Sequence, residues 1–201
     1  MRKNFYITLI LTFPLLFSSC QSQVIPEFNQ DNAFDLLKKQ CEFGARVPGT
    51  KAHINCKNYL VQTLRKYTNQ VTEQPFQTRI QPSNKPVTCY NIIANFNRGN
   101  SRRILLCAHW DTRPWADRDP DPANHNKPVM GASDGASGVA VLLEIARVIH
   151  ILKPKYGVDI VFLMLKILVV TATMIPGLWV QNILHKPYPH NIALSLEFYL
   201  I

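Results

Sequence analysis

The sequence predicts an α/β fold, in which helices pack on a sheet that contains parallel strands. Three observations support this prediction: a continuous apolar run over residues 103–108, a helical apolar pattern over residues 138–152, and a second apolar run over residues 158–162. Short apolar runs are typical of strands that are buried on both faces, and the order strand, helix, strand forms a parallel crossover unit. The 201 residues leave room for one domain with a sizeable core.

The overall composition indicates a folded domain. Apolar residues make up 47% of the chain and charged residues 17%, which excludes a disordered charged polymer and a collagen-like repeat. Lys and Arg number 22 against 13 Asp and Glu, so the net charge is +9. Because the basic residues are scattered, with no run longer than a pair, we predict no nucleic acid partner.

The N-terminus has the pattern of an export signal over residues 1–20. Two basic residues precede an apolar run over residues 5–17, and two serines then lead to Cys20. Small residues before a cysteine resemble a bacterial lipoprotein signal, in which Cys20 would carry a lipid anchored in the membrane. We expect an exported cell-envelope lipoprotein; a periplasmic protein with an ordinary signal and a protein with an uncleaved anchor are the alternatives. Residues 21–31 are predicted to be a linker.

The first predicted elements are two helices and two strands. Apolar residues recur at helical spacing over residues 33–40 and 52–67, and a Gly/Pro loop over residues 44–49 separates the two segments. Residues 71–80 and 89–96 are strand-like and are joined by a turn rich in Pro, Ser and Asn. The crossover unit follows them, with a long loop between its first strand and its helix.

Four cysteines follow the signal, and an exported chain can form disulfides. Cys41 and Cys56 flank the Gly/Pro loop and are the predicted pair. Cys107 lies in an apolar run and is predicted to be a buried thiol. No cysteine spacing indicates a zinc knuckle.

Two clusters of polar residues could carry chemistry. His109 and Asp111 directly follow the strand of residues 103–108, and the Gly/Ser-rich segment of residues 131–138, which contains Asp134, directly precedes the long helix. Ligands of parallel α/β sheets gather at the carboxyl ends of the strands, where both clusters belong. Histidine nitrogen and aspartate oxygen are zinc ligands, and a nearby carboxylate can orient the histidine ring.

Each cluster also has a simpler interpretation. A His-x-Asp sequence arises often by chance, and Asp134 or Ser137 could cap the following helix without any further role. The Gly-rich segment is not a phosphate loop, because no Lys-Ser/Thr follows it. Ser133 and Ser137 do not lie in a Gly-x-Ser-x-Gly turn, which argues against a serine hydrolase.

Three motifs in order resemble one known family. They are the Gly-Ala-Arg-Val-Pro-Gly loop of residues 44–49, the Cys-Ala-His-Trp-Asp-Thr segment of residues 107–112, and residues 131–144. Together they resemble the zinc aminopeptidase and glutaminyl cyclase family, and in particular its bacterial lipoprotein-type members, over residues 32–162. The resemblance implies a zinc-peptidase-like mixed sheet flanked by helices, with zinc bound at the strand ends.

The resemblance also implies roles for single residues. Asp134 matches the central zinc-ligand aspartate, and His109 matches a histidine that binds a second zinc in the aminopeptidases but not usually in the cyclases. Asp111 matches the carboxylate that supports the catalytic site. Glu144, on the helix after Asp134, is expected to be structural.

The chain departs from this family after Phe162. The family carries an acidic pair there, of which one carboxylate is the general base and the other a zinc ligand. In this chain residues 160–170 contain no acid and only one charged residue, Lys166. Family members also continue further and supply a later histidine ligand. We therefore expect a domain that is incomplete on its C-terminal side.

The loss of one base near codon 162 would account for the departure. With suitable synonymous codons, the other frame reads Phe-Asp-Ala-Glu-Asp over residues 163–167, which is the missing acidic motif, and family-like segments over residues 179–186 and 197–201. Twelve of the 13 acids precede residue 163, so the last 39 residues contain only Glu197. We therefore predict that residues 163–201 are out of frame.

The sequence leaves three functions open, of which the first two follow from the resemblance to the family. The first is zinc-dependent cyclisation of N-terminal glutamine to pyroglutamate, with release of ammonia. The second is a two-zinc aminopeptidase that acts on the N-termini of peptides. The third is a non-catalytic lipoprotein that binds peptides through the loop of residues 112–130, whose candidate side chains are Trp115, Asp117, Asp119 and Asp121. As written, the product is predicted to be inactive, because the general base and the glutamate ligand are missing.

Overall fold

The computed structural model describes residues 25–80 and 84–164. Within them, three helices pack with a four-stranded mixed sheet, which confirms the predicted α/β class. The predicted export signal with Cys20, and residues 165–201 of the predicted out-of-frame tail, lie outside the described residues.

The first two helices begin at capping side chains. Helix α1 (Gln30–Glu42) starts after Asn29, whose side chain accepts a hydrogen bond from the backbone N–H of Asn32. Helix α2 (Lys51–Arg65) starts after Thr50, whose hydroxyl oxygen accepts from the N–H of His53. The cap at Asn29 starts α1 three residues before the predicted helix, inside the predicted linker.

The third helix, α3 (Ser137–Leu152), crosses between two parallel strands. The segment Ala132–Leu152 is long enough to cross a membrane and contains an 18-residue stretch with a mean hydropathy of 1.7, but half of that stretch is buried inside the domain. Such a segment is also typical of the core helix of a globular domain. Neither Asp134 nor Ser137 caps this helix: the residue at the cap is Ala136, which makes no side-chain hydrogen bond there.

The sheet contains strands β1 (Val71–Ile80), β2 (Lys85–Phe96), β3 (Arg103–His109) and β4 (Gly157–Leu163). Their spatial order is β1-β2-β4-β3. The pairs β1–β2 and β2–β4 are antiparallel, and β3 pairs with β4 in parallel. The segment β3–α3–β4 is therefore the parallel crossover unit that the apolar runs predict.

The core lies between the helices and alternate residues of the strands. Val158, Ile160 and Phe162 of β4 are nearly inaccessible to solvent, as expected for a central strand. They belong to one apolar cluster with buried side chains of α2 and α3, which are Cys56, Leu60, Leu64, Val139, Leu142, Leu143, Ala146 and Ile149.

Strand β3 is more exposed than its sequence suggests. Within the described residues it lies at an edge of the sheet and has β4 as its only neighbouring strand. Ile104 is 49% exposed and Cys107 is exposed. The predictions of a strand buried on both faces and of a buried Cys107 thiol are therefore wrong for this structure, because the apolar run does not reveal which strands lie beside it.

The predicted disulfide is also absent from the described structure, in which Cys41 and Cys56 are free. Cys41 interacts with the side chain of Arg46, and Cys56 is fully buried in the core. Burial raises the pKa of Cys56 to about 12, which keeps this thiol protonated.

The last strand extends beyond Phe162 into the apolar sequence that follows it. Strand β4 continues through Leu163, and Met164 is buried, with its backbone N–H donating to the side-chain oxygen of Asn91 at 3.0 Å. Leu163 and Met164, the first two residues of the predicted out-of-frame tail, thus lie within the folded part of the chain.

Candidate metal centre

Three side chains that the sequence singles out meet at one edge of the sheet. His109 Nε2 lies 2.7 Å from Asp134 Oδ1, and His109 Nδ1 lies 3.4 Å from Asp111 Oδ1. Asp111 is buried, whereas the Asp134 side chain is 57% exposed. The histidine ring thus lies between an inner carboxylate and an outer carboxylate that faces solvent.

The parallel pairing of β3 with β4 places His109 at this edge. His109 is the last residue of β3 and pairs with Leu163, the last residue of β4. Trp110 continues the pairing, because its N–H donates to the carbonyl of Leu163 at 3.0 Å. Its buried indole donates to the carbonyl of Tyr90 at 3.1 Å. These bonds fix the backbone that directly follows His109.

The loop that carries Asp134 approaches β3 through two glycines. Gly131 has a φ of +64°, in the left-handed region that glycine tolerates. Gly135 lies against His109, so that a Cβ there would stand 2.4 Å from the His109 carbonyl oxygen. Between them, Asp134 has non-helical angles of φ −112° and ψ 93° inside a single π-helical turn. This kink presents the carboxylate to the histidine.

The two carboxylates change the protonation of His109. Burial favours the neutral ring and by itself lowers the pKa of His109. The hydrogen bond and charge of Asp111, and then those of Asp134, outweigh burial, so the pKa of His109 is raised above its usual value. This environment favours a positively charged ligand or proton between the carboxylates.

The donor set fits zinc only in part. His109 Nε2 and the Asp134 carboxylate are suitable zinc ligands, and a carboxylate facing the other ring nitrogen, as Asp111 does, commonly orients such a histidine. Catalytic zinc usually takes three protein ligands. Residues 25–80 and 84–164 contain no group of three or more His, Cys, Asp or Glu side chains that could hold a metal ion. The described residues alone therefore do not complete a zinc site.

Other residues that the sequence singles out have structural partners. Glu144 is fully buried and accepts from Asn29 and Asn32 of the N-terminal segment and from Arg147. In the loop of residues 112–130, Asp117 pairs with Arg113. The remaining candidate side chains of that loop make local contacts or are half-buried: Asp119 accepts from Asp121 and Asn124, Asp121 accepts from Ala123, and Trp115 is half-buried.

Two residues near the site carry no role in the sequence analysis. Arg46 is fully buried and donates to three backbone carbonyls around the site. His53 is fully buried and stacks on Trp110, with ring centroids 4.9 Å apart. Burial lowers the pKa of His53 to about 4, so its ring is neutral. The sequence singles out Arg46 only as part of the motif of residues 44–49, and nothing in the sequence pattern distinguishes His53.

Part of the chain is similar to known sequences. Residues 91–165 match the model of peptidase family M28. A probable zinc metalloprotease of Pyrenophora tritici-repentis is 26% identical over 147 residues, which are 66% of this chain and 29% of that protein. An uncharacterised Escherichia coli protein, YfbL, is 35% identical over 86 residues, which are 41% of this chain and 25% of that protein.

Solved structures give closer similarities. A Bacteroides thetaiotaomicron glutaminyl cyclase bound to N-acetylhistamine is 45% identical, with a TM-score of 0.67, over 70% of this chain and 48% of that one. A Zn-dependent exopeptidase of Parabacteroides distasonis is 44% identical, with the same TM-score and the same coverage. The chain thus spans less than half of the length of each of these relatives. The neighbours confirm the zinc-peptidase-like fold that the three motifs predict.

Proposed function

We propose that this chain, whose described residues form part of an M28-type zinc peptidase domain, carries the N-terminal portion of a glutaminyl-peptide cyclotransferase site. One observation carries the proposal: His109 and Asp134 meet at 2.7 Å at the strand ends of a domain that is 45% identical to a bacterial glutaminyl cyclase. The substrate class is the N-terminus of a peptide that begins with glutamine.

The proposed reaction closes a ring within one residue. The α-amine of glutamine attacks the carbonyl carbon of its own side-chain amide, the C–N bond to the amide nitrogen breaks, and ammonia leaves. A bound zinc ion would polarise the amide carbonyl. Asp134 would hold the ion, with His109 as a further donor, and Asp111 would orient the His109 ring.

The reaction also needs a carboxylate that moves a proton from the α-amine to the departing nitrogen. Strand β4 ends at Leu163, opposite His109, so the chain that continues from β4 leaves the sheet beside the candidate site. This is where the family places its acidic pair, and residues 163–167 contain no acid. We therefore propose that the product as written is inactive.

The proposed change of reading frame agrees with the extent of the similarity. The match to peptidase family M28 ends at residue 165, close to the codon at which the sequence predicts a lost base. After that point the chain contains one acid, Glu197, among 39 residues that begin at Leu163. A restored frame would supply two aspartates and a glutamate at residues 163–167.

An aminopeptidase is the second candidate. The similarity to the Zn-dependent exopeptidase of Parabacteroides distasonis, at 44% identity, is almost as high as that to the cyclase. The His109–Asp134 contact favours this candidate as well, since a histidine donor at this place would serve a second zinc. A peptide-binding lipoprotein is less well supported, because Asp117, Asp119 and Asp121 already accept bonds within their own loop.

The test compares the chain as written with a version that has one base restored near codon 162. Both proteins are incubated with a peptide that begins with glutamine and with a peptide that begins with leucine, with and without a chelator. We expect the restored protein alone to release ammonia and form pyroglutamate in a chelator-sensitive way. Release of leucine instead would favour the aminopeptidase, and no activity in the restored protein would contradict both candidates.

A further inference from the structure

The Arg46 side chain lies between the two segments that carry the candidate site. It is fully buried in the loop between α1 and α2. Its Nε donates to the carbonyl of Trp110 at 3.2 Å, its Nη1 to that of Met130 at 2.7 Å, and its Nη2 to that of Gly131 at 2.6 Å. One guanidinium thus holds the backbone beside His109 and the backbone that leads to Asp134.

These three bonds use the shape of arginine. The guanidinium is planar and donates in fixed directions from three nitrogens, so it can join carbonyls from separate segments, whereas the three N–H donors of a lysine all lie on one nitrogen. The Arg46 backbone also bonds to this region, since the Thr112 N–H donates to the Arg46 carbonyl at 3.3 Å. Gly131 adds to the fit, because a Cβ there would stand 3.1 Å from Arg46 Nη2.

We propose that Arg46 is a positioning residue that sets the contact between His109 and Asp134. This role rests on the proposed function, in which His109 and Asp134 are the candidate pair of metal donors. The hydrogen bonds of Arg46 reach the backbone of Trp110, Met130 and Gly131, so it acts on His109 and Asp134 by fixing the segments that carry them. Loss of the guanidinium fork should free the loop of Asp134 from the end of β3.

The tautomer of His109 reports this contact directly. A neutral imidazole has one N–H, and Asp134 competes for it at Nε2 with Asp111 at Nδ1. The shorter distance to Asp134, 2.7 Å against 3.4 Å, favours the Nε2–H form. If the Asp134 loop moves away, the proton should shift towards Nδ1.

The experiment measures the imidazole ¹⁵N shifts of His109 in the full chain, labelled at histidine, at one alkaline pH and in the presence of a chelator. His109→Gln assigns the signal, and Asp134→Asn defines the spectrum without the outer carboxylate. We expect Arg46→Lys and Arg46→Met to shift the proton from Nε2 towards Nδ1, as Asp134→Asn does. In the double variant with Asp134→Asn, the Arg46 substitution should add no further shift.

Arg103→Lys is the matched control, because Arg103 is also mostly buried and donates to several backbone carbonyls, but at the opposite end of β3. It should leave the His109 tautomer unchanged. A wild-type tautomer in folded Arg46 variants would overturn the proposal, as would an Asp134→Asn variant without a shift. The proposal would also be overturned if the Arg46→Lys variant were unfolded while the Arg103→Lys variant stayed folded. Arg46 would then have a structural role only. The chelator keeps metal ions out of this experiment. Its result therefore does not depend on whether the protein binds zinc or turns over a substrate.

Discussion

Gly135 lies in direct contact with His109, although 26 positions separate them along the chain. A Cβ at residue 135 would stand 2.4 Å from the His109 carbonyl oxygen and 2.6 Å from its ring carbon Cε1. The loop of Asp134 can therefore approach β3 only because residue 135 has no side chain. This contact brings the Asp134 carboxylate within hydrogen-bond distance of the ring.

Gly135→Ala should disrupt this approach. The added methyl group must displace His109 or the loop, which we expect to cost about 1–3 kcal/mol of unfolding free energy and to separate His109 from Asp134. Urea unfolding measures the first effect, and the His109 imidazole shifts measure the second. Gly99→Ala is the control, because no atom beyond the adjacent residues lies within 4 Å of a Cβ there. Equal effects of both substitutions would contradict the contact.

Asp134→Asn should lower the pKa of His109. The pKa is raised in the folded chain because the two carboxylates outweigh burial, so the charged ring adds stability below the ordinary pKa of about 6.5. That contribution should be lost as the pH rises through the raised pKa of the folded state. NMR titration of wild type and Asp134→Asn measures the shift. An unchanged pKa in the variant would show that Asp134 does not contact the ring.

Glu144→Gln should destabilise the domain near neutral pH. Burial raises the pKa of Glu144, but hydrogen bonds from Arg147, Asn29 and Asn32 outweigh it, so the pKa lies below its ordinary value. The carboxylate therefore adds stability above the unfolded pKa of about 4.5 and loses it as the pH falls through the lower folded pKa. We expect a loss of about 2 kcal/mol at neutral pH.

The measurement for Glu144 is urea unfolding of wild type and variant across this pH range. The difference in unfolding free energy should shrink as the pH falls below about 4.5. Glu42→Gln serves as the control, because this carboxylate pairs with Lys39 on the exposed surface, where such pairs contribute little. A difference for Glu144 that stays constant down to low pH would contradict the assigned role.

Cys20→Ser should release the mature chain from the membrane if Cys20 carries the lipid. We expect the wild-type chain to incorporate labelled fatty acid and to sediment with membranes, and the variant to do neither. A wild-type chain without label that is soluble in the periplasm would favour an ordinary secretory signal. A chain that stays in the membrane without label would favour an uncleaved anchor.

The sequence predicts the parts of the structure that depend on local patterns and chain order. Two apolar runs around a helical segment are enough to predict the parallel crossover, and the crossover brings His109 and Asp134 to one edge. The exposure of Cys107 could not be predicted, because it depends on which strands flank β3. The contacts of Arg46 could not be predicted either, since its partners lie 64 to 85 residues further along the chain.

The zinc content of the purified chain, measured beside that of the frame-restored protein, tests the central claim most directly. The described residues supply His109 and Asp134 as donors without a third, so the chain as written should lose its zinc on dialysis. The restored protein should retain about one zinc per chain as a cyclase, or about two as an aminopeptidase. Stoichiometric zinc held by the chain as written, together with turnover of a peptide substrate, would contradict the account.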